Sequence, residues 1–375
     1  MKSDQSEYHS KMKSILISLH FYDSFHPILS LPLPHENRNH IKYYHSKMDK
    51  QIACIKELKQ CVLDGGSLTA DEAYALGETT DREALYEAAA EITRYFGKPD
   101  FNPCSIINAR GGKCSENCKW CAQSAHYKTG AETHDIVGSQ QVLQQAQYDE
   151  RKGVKRFCQV TSGRKVSGRA LEQLCANYRE LRQHTNLFLC GSLGLLGREE
   201  LQQLWEAGMR RYHCNLEAAP SYFGQVCTTH TLEEKLQTLH WAREIGFELC
   251  SGGIIGMGES RRQRIELALA LREVKPDSIP INILCPIPGT PLADTPPLSD
   301  EEILLTVALF RFLHPKAELR FAGGRKRLPR EVQLKALRIG INAAVVGDLL
   351  TTVGSKIDED RQLATEAGYI ASANS

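Results

Sequence analysis

Short apolar runs and amphipathic stretches alternate along the chain from about residue 104 onward. The apolar runs have the length of β-strands and cover residues 104–109, 157–161, 187–190, 211–216, 247–255, 279–284, 318–322 and 343–347. Between them, helical periodicity is found at about 139–151, 168–183, 198–207, 231–244, 260–273, 299–312 and 331–339. Eight strands that alternate with helices predict an α/β fold, a (β/α)8 barrel of the TIM type, over residues 104–370.

Residues 48–103 are predicted to form N-terminal helices that precede the barrel. Thr69 and Thr80 are each followed three residues later by Glu, and this is the pattern of a capping box at a helix start. Thr231 and Ser299 show the same pattern inside the barrel region, so helices are predicted to begin there too.

Residues 1–47 differ from the rest of the chain. They are polar, rich in His and Tyr, and interrupted by prolines, so a disordered extension is predicted there, translated from an early start codon. A targeting or partner-binding arm is the alternative. His20 and Tyr22 break the short apolar patch, which argues against a signal peptide.

Composition limits the class of function. A chain of 375 residues with 42% hydrophobic residues can hold one large barrel, and a net charge of +1 gives no electrostatic reason to expect nucleic acid. Thirteen cysteines, an odd number, argue against a pure disulfide framework and suit a reducing cytoplasm with thiolates reserved for clusters. We find no uninterrupted apolar run long enough to cross a bilayer, so no membrane association is expected.

Three cysteines follow the first predicted strand with the spacing C-x3-C-x2-C. They are Cys114, Cys118 and Cys121, called the loop cysteines below. Three thiolates this close can converge on a soft metal or an iron–sulfur cluster and leave one coordination position open. A zinc loop that borrows a distant fourth ligand is the alternative. The spacing therefore favours an open cluster at which a substrate or cofactor binds.

The residues around the loop resemble the radical S-adenosylmethionine (SAM) superfamily and, more closely, the biotin synthase family. The matching stretches are Ser105-Ile-Ile-Asn-Ala-Arg and Cys114-Ser-Glu-Asn-Cys-Lys-Trp-Cys-Ala-Gln-Ser-Ala-His-Tyr-Lys-Thr. The likeness extends from about residue 50 to about residue 370. It implies a [4Fe–4S] cluster on the loop cysteines, whose open iron binds SAM.

The reaction that this resemblance implies is sulfur insertion into dethiobiotin to give biotin. A 5′-deoxyadenosyl radical made from SAM removes hydrogen from unactivated carbon, so no side chain is expected to act as a catalytic acid or base. An electron donor such as flavodoxin or ferredoxin is implied, and a homodimer is expected from the family.

Three further cysteines lie on separate predicted strands. They are Cys158, Cys190 and Cys250, called the strand cysteines below, and Arg320 lies on a later strand. One buried cysteine usually packs as a small hydrophobic residue. Three cysteines on separate strands, together with a buried arginine that needs hydrogen-bond or charged partners, indicate a functional site. The resemblance matches these four residues to the ligands of an auxiliary [2Fe–2S] cluster, the sulfur donor. Another nuclearity stays open.

The fourth strand, Arg211-Tyr-His-Cys-Asn-Leu-Glu217, departs from the family pattern Tyr-Asn-His-Asn-Leu-Asp. By resemblance, Asn215 contacts both substrate and SAM, and Glu217 stands where an aspartate binds the ribose hydroxyls. His213 replaces a substrate-facing asparagine. Cys214 either points away from the barrel interior, as strand alternation predicts, or serves the auxiliary cluster together with Cys227.

Two other single residues are assigned by resemblance. Asn282 matches an asparagine that binds the ureido group. The amide side chain of asparagine can donate hydrogen bonds to a ureido group and accept hydrogen bonds from it. Lys235 stands where an arginine pairs with the SAM carboxylate, and it keeps the charge without the bidentate fork. The stretches 252–259 and 160–163 resemble those beside the adenine and the methionine amino group. The remaining cysteines are interpreted as packing residues: Cys54, Cys61, Cys104, Cys175 and Cys285.

Two other functions compete with this interpretation. A sister radical SAM carbon-skeleton enzyme, such as methylornithine synthase, would share the barrel and the first cluster but needs no sulfur donor, so the strand cysteines and Arg320 argue against it. An iron–sulfur electron-transfer module without SAM chemistry is the second alternative. Asn215 and Glu217 argue against that function.

Overall fold

A computed structural model of the chain describes residues 50–347, 354 and 356–370. The predicted extension at 1–47 lies outside these residues. Helix α1 covers residues 50–63, and α2 (Ala70–Gly77) and α3 (Arg82–Phe96) follow it. Both α2 and α3 pack against helices of the barrel. The predicted N-terminal helical segment is therefore present over the part that the structure describes.

Nine parallel strand segments close into the barrel. They are β1 (Asn102–Arg110), β2 (Arg156–Thr161), β3 (Phe188–Ser192), β4 (Arg211–His213), β5 (Glu248–Cys250), β6 (Gly253–Ile255), β7 (Ser278–Ile283), β8 (Glu318–Phe321) and β9 (Ala343–Val345). Strand β1 pairs with both β2 and β9, and β7 pairs with both β5 and β6. Segments β5 and β6 thus share one position, interrupted at residues 251–252, and the prediction of an eight-stranded (β/α)8 barrel is confirmed.

Helices follow the strands, most of them at the predicted places. They are α4 (Ser139–Arg151), α5 (Gly168–His184), α6 (Arg198–Ala207), α7 (Pro220–Val226), α8 (Leu232–Ile245), α9 (Arg261–Val274), α10 (Asp300–Leu313), α11 (Arg330–Ile339) and α12 (Ile357–Glu366). Helices α7 and α12 were not predicted. Within the described residues, no helix is long and apolar enough to span a membrane.

The cap residues agree with the sequence patterns at three helix starts and differ at one. Thr69 and Thr231 form reciprocal capping boxes with the glutamates three residues on, and Ser299 caps α10. Helix α3 is capped by Asp81 instead of Thr80, because the Asp81 carboxylate accepts the N–H of Ala84. The Thr80 hydroxyl donates to Gln51 of α1, so the prediction for Thr80 is wrong by one residue.

The amino-terminal end of the barrel is closed by a group of ion pairs between strands. Arg211 of β4 contacts Glu248 of β5 at 2.6 Å and Glu318 of β8 at 3.1 Å. Arg156 of β2 lies 3.4 Å from the same Glu248. These ion pairs join four strands beneath the barrel interior, and the space above them is where the polar and sulfur-bearing side chains collect.

Candidate active site

A cavity of about 320 Å³ fills the barrel interior above this ionic layer. Its walls carry side chains from alternate positions of the strands, as expected for inward-facing residues of a parallel barrel. Trp120, from the loop that follows β1, lies at the cavity wall too. The carboxyl ends of the strands and the loops that follow them therefore line one cavity, at the end where TIM barrels bind substrates.

The loop cysteines follow directly after β1. The Cys114 N–H donates to the carbonyl of Gln123 at 2.9 Å, and Ala125 returns a bond to the Cys114 carbonyl at 2.8 Å, so the loop is folded back on itself. Burial raises the pKa of Cys121 to about 11, and the charges of Cys114 and Glu217 add to this rise. Three soft, largely buried thiols set close together fit an iron–sulfur cluster with an open position.

Sequence reasoning missed the partner of Cys118. Its Sγ lies 3.6 Å from Sγ of Cys227, which follows α7, and Cys227 lies 3.4 Å from Nδ1 of His230. The same Nδ1 lies 2.6 Å from Glu116. Cys118, Cys227 and His230 are arranged closely enough to hold a metal ion. Cys227 thus lies beside the loop cysteines, and the hypothesis that it joins the strand cysteines is not supported.

The strand cysteines come together inside the cavity. Cys158 and Cys190 are direct partners in the β2–β3 register, and Cys250 lines the cavity from β5. Burial raises the pKa of Cys158. Burial also acts on Cys250, but His213, Arg211 and Arg320 outweigh it and lower its pKa. Buried thiols that face cations fit a second iron–sulfur cluster, since thiolate is the ligand form and its charge is offset.

Cys104 of β1, interpreted above as a packing residue, also lines this cavity. It packs with Cys158 and Cys190 in a small cluster separate from the main core. A hydrogen bond with Cys190 lowers the pKa of Cys104 and raises that of Cys190. Alternation along β1 could have placed it, because Ile106, two residues later, is the register partner of Cys158.

Arg320 lies in the cavity wall where the sequence placed it, and its guanidinium is fully hydrogen-bonded. Nε donates to the Ser278 hydroxyl at 3.3 Å, and Nη1 donates to the carbonyls of Asn102 at 2.9 Å and Ala344 at 3.0 Å. Nη2 donates to the Asn102 side chain at 3.3 Å and to Glu318 at 3.2 Å. Protein acceptors thus take up all five N–H groups.

Three residues of the fourth strand region face the cavity as predicted: His213, Asn215 and Glu217. Burial acts to lower the pKa of His213, but the neighbouring Cys250 outweighs it, so the pKa is raised. The Asn215 amide donates to the Glu217 carboxylate at 3.3 Å, and its oxygen accepts the Gly252 N–H at 3.0 Å.

Glu217 is held in the left-handed backbone region, with φ of 71°. Its N–H donates to the Gly252 carbonyl at 3.1 Å, and its carbonyl accepts the Ile254 N–H at 2.8 Å. The backbone on both sides of the interrupted strand thus fixes the position of this carboxylate. A non-glycine residue in this conformation is uncommon and typically marks a functional constraint.

Lys235 and Cys214 are neighbours outside the cavity wall. Burial acts to lower the pKa of Lys235, but Cys214 and Glu217 outweigh it and raise the pKa. Cys214 packs in the main hydrophobic core, so it points away from the barrel interior, as strand alternation predicts. Lys235 is buried, at 7% exposure, and the charge of Glu217 acts on its ammonium group.

Asn282 of β7 faces the cavity across from these residues. Its amide donates to the Gly253 carbonyl at 3.2 Å, and its oxygen accepts the Gly323 N–H at 2.9 Å. One N–H and one lone pair of the amide are left over for a ligand. The glycine-rich stretch after β6 is held by Glu259, whose carboxylate accepts the N–H groups of Gly256 and Met257, each at 2.7 Å.

The other cysteines divide into three groups. Cys175 is buried in the main core, as interpreted. Cys54 and Cys61 are exposed on α1, so the interpretation as packing residues is wrong for both. Cys285 lines the cavity after β7.

Comparison of the chain with known protein families finds two family models that match it. The Radical SAM superfamily model matches residues 109–271, and the Biotin and Thiamin Synthesis associated domain model matches residues 280–370. Together these matches cover the barrel from the end of β1 to the end of α12.

Curated relatives resemble most of the chain. A biotin synthase of Parabacteroides distasonis is 51% identical over 320 residues, which are 85% of this chain and 98% of that protein. A biotin synthase of Porphyromonas gingivalis is 53% identical over 84% of this chain and 96% of its own length. A crystal structure of methylornithine synthase shares the fold, with a TM-score of 0.72 at 15% identity, over 84% of this chain and 97% of that one.

Proposed function

Because the chain belongs to the biotin synthase family of radical SAM enzymes, we propose that the cavity described above is where it inserts sulfur into dethiobiotin to give biotin. Its cofactors include a [4Fe–4S] cluster and SAM, as in the family. When bound, these cofactors supply a 5′-deoxyadenosyl radical that removes hydrogen atoms from unactivated carbon. The chain's own residues bind, orient and shield the reactants.

The loop cysteines hold the [4Fe–4S] cluster in this proposal. Cys121 and Glu217 are close enough for their charges to interact, so the cluster and the carboxylate proposed to bind the SAM ribose lie side by side. Lys235, buried next to Glu217, pairs with the SAM carboxylate. The Asn215 amide donates a hydrogen bond to the Glu217 carboxylate and fixes the orientation of that carboxylate. Asn215 also reaches both SAM and substrate.

The cavity suits the substrate, a small cyclic urea with an apolar chain. His213, Asn215 and Asn282 contribute polar groups to its lining, and aliphatic side chains such as Ile106 and Ile254 line other parts of it. Amides that both donate and accept match a neutral ureido group. A buried, mostly apolar pocket also excludes water and other hydrogen donors from a carbon radical.

The strand cysteines hold an auxiliary iron–sulfur cluster, expected to be [2Fe–2S], that supplies the sulfur atom. Their thiols project into the same cavity as the substrate-facing amides, so a sulfur source there stands next to the substrate. Arg320 belongs to this site and offsets the thiolate charge. We further propose an electron donor such as flavodoxin or ferredoxin, a homodimer, and a place in the reducing cytoplasm.

The observation that carries the proposal is one cavity lined by buried cysteines of separate strands, with the loop cysteines following β1. The test replaces Cys190 or Cys250 by Ala in anaerobically reconstituted protein. SAM should still be cleaved to 5′-deoxyadenosine, while biotin formation is lost because the carbon radical meets no sulfur. Both products are measured from the same reaction, so the two functions are separated.

Cys175→Ala is the matched control, because Cys175 is equally buried but packs between helices and strands outside the cavity. It should leave both products unchanged. If the Cys190 and Cys250 variants make biotin at the normal rate, the sulfur-donor role of this site is wrong.

A further inference from the structure

Four thiols, not three, project into the barrel cavity from four different strands. Cys104, Cys158, Cys190 and Cys250 are 8%, 6%, 3% and 7% exposed, and all of them line the cavity. Cys104 shares the inward face of β1 with Ile106, which is paired in register with Cys158. The position of Cys104 therefore results from the same strand pairing that brings Cys158 and Cys190 together.

The surroundings of Cys104 are those of a ligand. Its buried packing partners are Cys158 and Cys190, in a cluster apart from the main core, with aliphatic and aromatic side chains against the same cluster. Its thiol interacts with that of Cys190 and is acted on by the positive charges of Arg320 and Arg211. A cysteine whose role is packing is usually surrounded by hydrocarbon alone, whereas this one also has thiols and cations beside it.

We propose that Cys104 is a further protein ligand of the auxiliary cluster, beside the three strand cysteines. This assignment rests on the proposed function, since it assumes that the strand cysteines hold a cluster. It gives the auxiliary site one thiolate each from β1, β2, β3 and β5.

The test isolates the auxiliary cluster by changing the three loop cysteines to Ala in the full chain. After anaerobic reconstitution, iron, acid-labile sulfide and the Mössbauer spectrum are measured, together with the rate of iron loss to a chelator. Outer-shell changes alone typically cost about 10- to 100-fold in metal affinity, so Cys104→Ala should lose iron at least about tenfold faster than this parent.

Cys104→Ser and Cys175→Ala complete the design. Serine offers an oxygen ligand at the same place, so iron should stay while the Mössbauer parameters change. Cys175→Ala removes an equally buried thiol outside the cavity and should behave as the parent. An unchanged spectrum and chelation rate in both Cys104 variants would overturn the assignment. If the parent without loop cysteines binds no iron at all, the auxiliary cluster itself is refuted, and this assignment with it.

Discussion

Replacing Glu217 by Gly separates what this residue does for folding from what it does for SAM. The left-handed conformation of Glu217, with φ of 71°, costs an L-amino acid about 1–2 kcal/mol, which glycine avoids. Glycine loses about 0.5–1 kcal/mol more than Ala in chain entropy on folding. The difference favours glycine by about 0–1.5 kcal/mol, so the free energy of unfolding should rise by about 1.5 kcal/mol at most and should not fall.

The same substitution removes the carboxylate proposed to bind the ribose hydroxyls. Hydrogen bonds to a charged group contribute about 1.5–3 kcal/mol, so the Kd for SAM should rise by about 10- to 100-fold. Binding is measured by anaerobic equilibrium dialysis on reconstituted protein, and stability by denaturant unfolding of the apo chain. Glu217→Gln keeps the strained backbone and should weaken SAM binding without any gain in stability.

Lys275→Gly is the matched control for strain. Lys275 ends α9 with φ of 49°, and it is not among the cavity-lining residues. Its replacement should raise the free energy of unfolding by up to about 1 kcal/mol and leave the Kd for SAM unchanged. A Glu217→Gly variant that binds SAM normally, or that is destabilised by more than about 2 kcal/mol, would refute the reasoning.

Three other predictions concern different parts of the chain. Changing any loop cysteine to Ala should abolish 5′-deoxyadenosine formation and the iron signal that responds to SAM, whereas normal SAM cleavage would contradict the assignment of the [4Fe–4S] site. Asp360→Asn should destabilise the fold by about 3–5 kcal/mol in urea unfolding, because Asp360 and Arg325 form a buried two-point pair at 2.7 and 2.6 Å. Glu366→Gln breaks a surface pair and should change the stability far less. In iron-free protein, oxidised glutathione should link Cys118 to Cys227, whose Sγ atoms lie 3.6 Å apart, releasing two reduced glutathione molecules; peptide mass mapping that finds both thiols free would contradict this.

The barrel could be predicted from the sequence because its signal repeats along the whole chain. Each strand is a short apolar run and each helix has a periodic face, so the order of elements follows from local patterns alone. Thr80 shows the limit of such patterns. Both Thr80 and Asp81 can cap a helix, and the choice depends on Gln51 of α1, which binds the Thr80 hydroxyl.

The candidate site was predictable where a residue's place depends on its own strand and not where it depends on register between strands. Alternation placed His213 and Asn215 inward and Cys214 outward. Alternation along β1 places Cys104 on the same face as Ile106, but Cys104 was missed because its neighbours Cys158 and Cys190 lie on other strands, and only the pairing of the strands brings them together. The contact of Cys118 with Cys227 joins two loops about a hundred residues apart, and no local pattern reports on such a contact.

The interruption of the fifth strand explains how the substrate side and the SAM side of the site are held in register. Gly252 donates its N–H to Asn215 and accepts the N–H of Glu217, while the carbonyl of Gly253 accepts the amide of Asn282. A Cβ at Gly252 would collide with the Pro280 carbonyl, and one at Gly253 with that of Glu217. Two adjacent glycines thus let one stretch of backbone position polar side chains from both walls of the cavity. These side chains share a backbone anchor, so in the proposed reaction the fold would fix the spacing between the groups that bind SAM and those that bind the substrate.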